Sequence, residues 1–340
     1  MTFRTRFAPS PTGPLHLGHA YSAMLGFDMA MEEGGEWLLR IEDIDRQRSK
    51  PEWERQIYDD LEWLGLWWPE PVMRQSERGA AYAAALQTLS WPAWLLYRCD
   101  CSRADIAAAL DAPQEGAGPL LGPDGLVYPG TCKASDVGRL WLPEPPDSEY
   151  RLALEQIRRG IEDTPEVGRF YQRLEEGPPL GLSGALRLHM DRAASEVADR
   201  RPGELAVISF RETGQGPAGE RGLIEFTPEQ LEHSVGDVVL ARRGMGTSYH
   251  LSVVLDDAAQ GITHVVRGQD LFEATKIHVV LQRLLGLPAP VYHHHRLIRD
   301  ETGRRLAKRE DAKAIRRFRE EGATPRDIRR MVGLDPDRGP

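Results

Sequence analysis

Between Phe7 and Leu15 the chain runs Ala8-Pro9-Ser10-Pro11-Thr12-Gly13-Pro14. Prolines at this density cannot donate to a strand ladder or continue a helix, so the backbone must turn here. Before the turn, Phe3 and Phe7, with Ala8 leading into Pro9, read as a short strand. After it, Ala20, Ala23, Met24, Phe27, Ala30 and Met31 recur at intervals of three and four, which predicts a helix beginning at Gly18. The tetrad His16-Leu17-Gly18-His19 lies at that helix start. Unpaired N–H groups and a partial positive charge there suit an anion, and Gly18 has no side chain to hold a phosphate or ring away from the backbone. His16 and His19 add two imidazole donors. The combination reads as a nucleoside triphosphate site; alone, two histidines three apart are more often a surface pair or half a metal site.

The helix is expected to end at Gly34-Gly35, and Glu36-Trp37-Leu38-Leu39-Arg40-Ile41 reads as a second strand. Strand, helix, strand at this spacing makes a βαβ unit, whose ligands sit beyond the carboxyl ends of the strands. Arg6 and Glu42 would both face that crevice. At 340 residues the chain is long enough for two domains or for one large domain with an insertion. A net charge of −9 argues against indiscriminate nucleic-acid binding without excluding a local basic face. No apolar leader follows Met1 and no run reaches membrane-spanning length, so a cytoplasmic protein without membrane contact is expected.

Tryptophans at 53, 63, 67, 68, 91 and 94 could stack on bases. Because Trp53, Ile57, Leu61 and Leu64 fall at helical spacing, core packing is the better reading. All three cysteines lie at Cys99, Cys101 and Cys132, and an odd number of thiols cannot form a closed disulfide framework. Three thiolates close together suit tetrahedral zinc, which needs one further ligand; the plain alternative is reduced, unligated thiols. The stretch between them, rich in glycine and proline, looks like a long loop. From 135 to 225, prolines and the glycine-rich Thr213–Gly222 describe irregular connections around short elements such as Gly184–Leu188, which fits an insertion into the nucleotide-binding sheet. The sheet is expected to resume at Val238–Arg243, with Thr247–Asp257 next and Gly261–Asp270 as a further buried strand ending in Arg267. A strand-end arginine followed by glycine suits two-pronged binding of a carboxylate. His293-His294-His295 would point to alternate sides of an extended segment and cannot all face one ion. Arg304–Arg309 is a basic cluster after a glycine turn, and Ala312–Glu321 and Pro325–Val332 read as two short helices.

The tetrad resembles the His-Ile-Gly-His signature of class I aminoacyl-tRNA synthetases, and the flanking Arg6–Gly13 resembles their glutamyl and glutaminyl branch. The resemblance implies an α/β fold: a Rossmann-like nucleotide-binding domain, an inserted acceptor-end-type subdomain with a zinc knob, and a short C-terminal helical stem. The expected bounds are 1–97 and 226–300 for the two halves of the catalytic domain. The inserted subdomain would take 98–225, and the stem with its preceding loop 301–340. It further implies that Glu42 contacts the α-amino group of the substrate and that Tyr249 and Arg267 line the amino-acid pocket, with Arg6 and Ser10 as further specificity candidates. Cys99, Cys101, Tyr128 and Cys132 would hold structural Zn2+. Arg305-Leu306-Ala307-Lys308-Arg309 resembles the Lys-Met-Ser-Lys-Ser loop, so Arg305 and Lys308 would meet the ATP phosphates alongside His16, Gly18 and His19. Where ordinary glutamyl enzymes tend to have asparagine, this chain has Val253, and the pocket floor loses a polar partner.

Only short helices are expected after residue 301, so the resemblance covers the catalytic half of the branch. With the Cys-x-Cys knob it is closest to the shortened members that glutamylate the queuosine base in the anticodon of tRNA(Asp). That implies a ligase with ATP and glutamate as substrates, Mg2+ assisting, queuosine-bearing tRNA(Asp) as partner, and a monomer. A shortened glutamyl-tRNA synthetase charging the tRNA 3′ end, and a silent RNA-binding paralogue, are the other readings. The intact His16, Gly18, His19 and Lys308 speak against the latter.

Overall fold

The computed structural model describes residues 2–90, 95–111, 120–133, 152, 156, 164–166, 184–199, 205–299 and 313–338. Strand β1 (Arg4–Phe7), helix α1 (Leu17–Glu32) and strand β2 (Glu36–Ile41) form the expected βαβ unit, the strands parallel with Arg6 opposite Leu38. The proline turn is closed by Thr12 N–H donating to the Ser10 carbonyl at 2.8 Å and is held from outside by Glu42 N–H on the Pro9 carbonyl and Lys50 N–H on that of Pro11, both at 3.0 Å. Helix α1 buries Ala20, Ala23, Met24, Phe27 and Ala30, and Phe27 meets the edge of buried Trp37 at 5.6 Å.

Pro51 opens α2 (Pro51–Trp63), where a proline's missing N–H costs nothing, and the helix buries Ile57 and Leu61. Trp63 and Trp68 pack against the same core, whereas Trp67 is exposed; Trp91 and Trp94 lie outside the described residues. Strand β3 (Met73–Arg74) adds to β2, and α3 (Gly79–Ser90) leads to β4 (Leu96–Cys99). The stretch read as one long loop holds a helix, α4 (Arg103–Asp111), and a hairpin of β5 (Leu121–Gly122) and β6 (Gly125–Leu126). The glycines and prolines mark the hairpin turn, with Gly125 at φ +102.

Next come β7 (Ala185–Leu188), α5 (Met190–Val197), β8 (Ile208–Glu212), β9 (Gly222–Phe226), α6 (Pro228–Ser234) and β10 (Val239–Arg242). Here the structure departs from expectation: β10 does not resume the nucleotide-binding sheet but pairs antiparallel with β7 in a sheet ordered β10-β7-β4. Thr247–Asp257 is mostly helix α7 (Tyr249–Ala259), whose start is capped by Ser248 accepting from Leu251 N–H. The expected strand is present as β11 (His264–Gly268); α8 (Phe272–Leu284) connects it to parallel β12 (Val291–His295). β12 pairs with β8, giving the order β11-β12-β8-β9. Thr263 N–H donates to the Arg4 carbonyl at 2.9 Å, which sets the start of β11 beside β1 and joins the two sheet halves. Helices α9 (Ile315–Glu320) and α10 (Pro325–Val332) close the chain. Ile315 and Ile328 enter the core beneath α1, and Arg329 grips Asp28 of α1 through two bonds of 2.6 and 2.8 Å.

Candidate active site

The helix start is built from the two histidines themselves. His16 is the N-cap of α1 in an extended conformation; its Nδ1 accepts from Gly18 N–H at 3.1 Å, and His19 Nδ1 accepts from His16 N–H at 3.1 Å. This reciprocal cap satisfies two donors and brings the ring centroids to 3.8 Å with the planes tilted by 33°. Gly18 leaves room for the cap: a Cβ there would lie 3.0 Å from His16 Cε1, close enough that the ring would have to shift. His16 also bridges to Ala314, and Ile315 N–H donates to the Leu15 carbonyl. The chain thus re-enters beside the tetrad just after residues 300–312. Arg305 and Lys308 fall in that stretch, outside the described residues.

Beneath the tetrad lies a buried charge cluster. Asp257 on α7 accepts from Arg6 Nε (2.9 Å) and Nη2 (3.3 Å) and from Arg40 Nη1 (2.7 Å), and Arg40 Nη2 reaches Glu42 at 3.2 Å. Burial would raise the Asp257 carboxyl, but the two guanidiniums outweigh it and hold it below the usual aspartate range. For Glu42 the balance is opposite: burial raises its carboxyl, with Arg40 and Arg6 compensating only in part. Asp256, just before Asp257, is satisfied by Gln75, Arg78 and Tyr82. Asp257 and Arg40 are site residues that motif reading passed over. Their signal was charged side chains set in the apolar strand Trp37–Ile41 and in the Val-Val-Leu-Asp-Asp run.

Arg6, His16, His19, Glu42, Tyr249 and Arg267 all line one cavity of about 410 Å³. Tyr249, the first residue of α7, has its phenol pushed upward by burial. Arg267, near the end of β11, is 5% exposed, and its fork is largely occupied: Nε bonds His294, and Nη2 bonds Thr275 Oγ1 and the Leu271 carbonyl. Nη1 bonds His278, which leaves one Nη1 hydrogen for a ligand. The two-pronged grip suggested by the sequence is therefore reduced to one hydrogen bond plus the charge. Val253 sits in the apolar core. A second cavity, about 760 Å³, shares Glu42 and Tyr249 with the first and is lined by Ser10, Asp124, Tyr128 and Arg187 among others. Of these two cavities, Ser10 lines the larger.

The Sγ atoms of Cys99, Cys101 and Cys132 lie within 4.8 Å of one another, compatible with the edge of a zinc tetrahedron of about 3.8 Å after small adjustment. Tyr128 Oη sits 3.4 Å from Cys99 Sγ and 3.5 Å from Cys101 Sγ, and accepts from Cys132 N–H at 2.8 Å. Arg187 stacks 3.8 Å over the Tyr128 ring. The Cys99 thiol, although raised by burial, is drawn down further by Tyr128 and Arg187, whereas burial pushes Cys101 up to about 11. Three thiols and a phenol gathered in this way fit a metal ion. His293, His294 and His295 diverge: His294 turns to Glu212, His293 to Thr213 and His295 to the Arg296 carbonyl.

A capped, glycine-bearing helix start over a buried arginine–carboxylate cluster, beside a parallel sheet, frames the candidate site. Residues 2–115 and 197–335 match the family described as tRNA synthetases class I (E and Q), catalytic domain, and the chain belongs to that family. Within it, the chain is 56% identical to the Glutamyl-Q tRNA(Asp) synthetase of Rhodobacter capsulatus, over 97% of this chain and 99% of that protein. It is 35% identical to the Glutamyl-Q tRNA(Asp) synthetase of Geobacter sulfurreducens, over 97% of this chain and 80% of that protein. The solved glutamate-tRNA synthetase of Elizabethkingia anophelis superposes with a TM-score of 0.64 at 25% identity, over 98% of this chain and 61% of that one. A glutamate tRNA ligase from Elizabethkingia meningosepticum, in complex with its amino acid, gives 0.63 at 26% identity, again over 61% of its length. The chain thus spans about three fifths of these solved relatives. Among the described residues no helix is long and apolar enough to cross a membrane.

Proposed function

We propose that this chain activates glutamate with ATP and transfers the glutamyl group to the queuosine base of tRNA(Asp). The observation that carries the reading is the 56% identity to a Glutamyl-Q tRNA(Asp) synthetase along 99% of that protein. In the first step an oxygen of the glutamate α-carboxylate attacks the α-phosphate of ATP, forming glutamyl-adenylate and expelling pyrophosphate. In the second a hydroxyl of the base attacks the glutamyl carbonyl and AMP leaves. The substrate carboxylate is itself the nucleophile, so the protein supplies position and charge.

The cap occupies the first N–H groups of α1, so His16 and His19, standing at the positive end of the helix, meet the phosphates. Arg305 and Lys308 add charge where pyrophosphate develops, and Mg2+ brought with the ATP would add to it. Glu42 meets the α-amino group, Arg267 and Arg6 supply positive charge, and Tyr249 closes the cavity. The larger cavity sharing Glu42 and Tyr249 gives the second substrate room to approach the adenylate, with Ser10 on its wall. Cys99, Cys101, Tyr128 and Cys132 hold zinc, whose part is to stiffen the segment bearing the larger cavity's wall and not to react. The enzyme acts as a cytoplasmic monomer.

The test supplies ATP, labelled glutamate and the tRNA pool of cells that make queuosine, or of cells that cannot. Labelling of the first pool alone is the expected result. Equal labelling of both pools would make the chain a synthetase that charges the tRNA end, and labelling of neither would contradict enzymatic transfer.

A further inference from the structure

Arg267 is buried and charged, yet among the described residues no carboxylate lies within ion-pair distance of it. Its neighbours are neutral or potentially neutral groups: His294 Nε2 at 3.2 Å from Nε, His278 Nδ1 at 3.0 Å from Nη1, Thr275 and a carbonyl. A guanidinium can only donate, so each imidazole must offer it a lone pair and carry its hydrogen on the other nitrogen. His294 then donates from Nδ1 to Glu212 Oε2, 2.5 Å away. His278 donates from Nε2 to His250 Nδ1 at 3.1 Å. His250 Nδ1 must accept, which leaves its hydrogen on Nε2, 2.9 Å from both carboxylate oxygens of Asp124. The donors therefore run in one direction, Arg267 to His278 to His250 to Asp124. Burial and Arg267 keep His278 well below the usual histidine range, in agreement with a neutral ring.

We infer that Asp124 is a positioning residue for the amino-acid pocket. As an acceptor that cannot donate when ionised, it holds His250 and His278 in the tautomers that orient Arg267. Because its negative charge stands two imidazoles away, the charge of Arg267 stays available for a carboxylate of the substrate. A carboxylate paired directly with Arg267 would fix the side chain equally well but would compete with that substrate, the more strongly for being buried. Asp124 lies in the turn between β5 and β6, in the segment that joins Cys101 to Tyr128, and its side chain is 54% exposed. The seating of this hairpin on α7 is thereby tied to the pocket at Arg267. The inference rests on the reading that glutamate occupies the cavity at Arg267.

Calorimetric titration of the full chain with L-glutamate and, separately, with ATP tests it in the unaltered protein, in Asp124→Ala and in Asp124→Asn. Asp124→Ala should weaken glutamate about fivefold, the worth of one ordinary hydrogen bond, and leave ATP unchanged. Asp124→Asn should fall between, since its amide can accept like the carboxylate but can also donate and so permits the reversed tautomers. Nitrogen NMR should show His250 and His278 protonated on Nε2 in the unaltered protein and mixed in Asp124→Ala. Glutamate affinity within about twofold of the unaltered protein in Asp124→Ala would overturn the inference, as would equal weakening of glutamate and ATP. If the unaltered protein bound ATP but no glutamate, the pocket reading itself would fall and the inference with it, an outcome distinct from the others.

Discussion

Asp257 accepts three hydrogen bonds from two buried arginines, so its removal exposes the cost of keeping Arg6 and Arg40 inside. Asp257→Asn should destabilise the protein by about 3–5 kcal/mol, read as a lowered urea midpoint, because two guanidiniums lose their shared counter-charge. The carboxyl is held below the ordinary aspartate value of 3.8. It therefore contributes stability fully at neutral pH, and that contribution is lost as pH falls below about 3.8 through the depressed value. The variant should show a shallower acid loss of stability than the unaltered protein; an unchanged slope would contradict the role. At the helix start, Gly18→Ala would press a methyl against His16. It should cost about 1 kcal/mol of helix cap and lower glutamate-dependent pyrophosphate exchange about tenfold. Local pattern marks His16 and Gly18 as candidates, and the resemblance of its segment marks Glu42. Arg267 could be placed, but not its histidine neighbours, which come from α8 and β12 and meet only when the sheet is assembled.

At the scale of elements, the cysteine segment packs little apolar surface of its own: Cys99 and Tyr128 are buried, but Leu120, Leu121 and Leu126 nearby are exposed, so the proposed zinc is expected to carry more of its stability than packing does. Removing metal with a chelator should leave the parallel sheet intact while 99–133 becomes rapidly cleaved by protease, and Cys101→Ser should do the same without chelator. Metal analysis should give one zinc per chain; none, with unchanged protease resistance, would remove zinc from the account. Much of the remaining architecture was legible. β1, α1, β2, α2, β11 and the closing helices each carry a period or punctuation that local physics reads directly. α7 did not, because His250–Val254, Asp256 and Asp257 are all buried, and a helix covered on several sides loses the polar face that marks its period. Ser248 as a cap was the surviving signal. β10 was recognised as a strand, but nothing local says which sheet it joins; that is decided by β7, some fifty residues earlier in the sequence.

Across the whole molecule, Thr263 joins β11 to β1 while Arg329 clasps α10 to α1, so the helix start, the arginine cluster and the smaller cavity form one unit. The larger cavity opens beside that unit at Glu42 and Tyr249. A shared wall between two cavities suits an enzyme that makes an activated acid on one side and delivers it to an acceptor on the other. The acceptor is the central claim, and mass spectrometry of nucleosides tests it most directly. tRNA(Asp) carrying queuosine is incubated with the protein, ATP and glutamate, then digested to nucleosides. The account predicts a mass increase of one glutamyl group on queuosine and an unmodified terminal adenosine. A glutamyl group on the terminal adenosine, with queuosine unchanged, would contradict it.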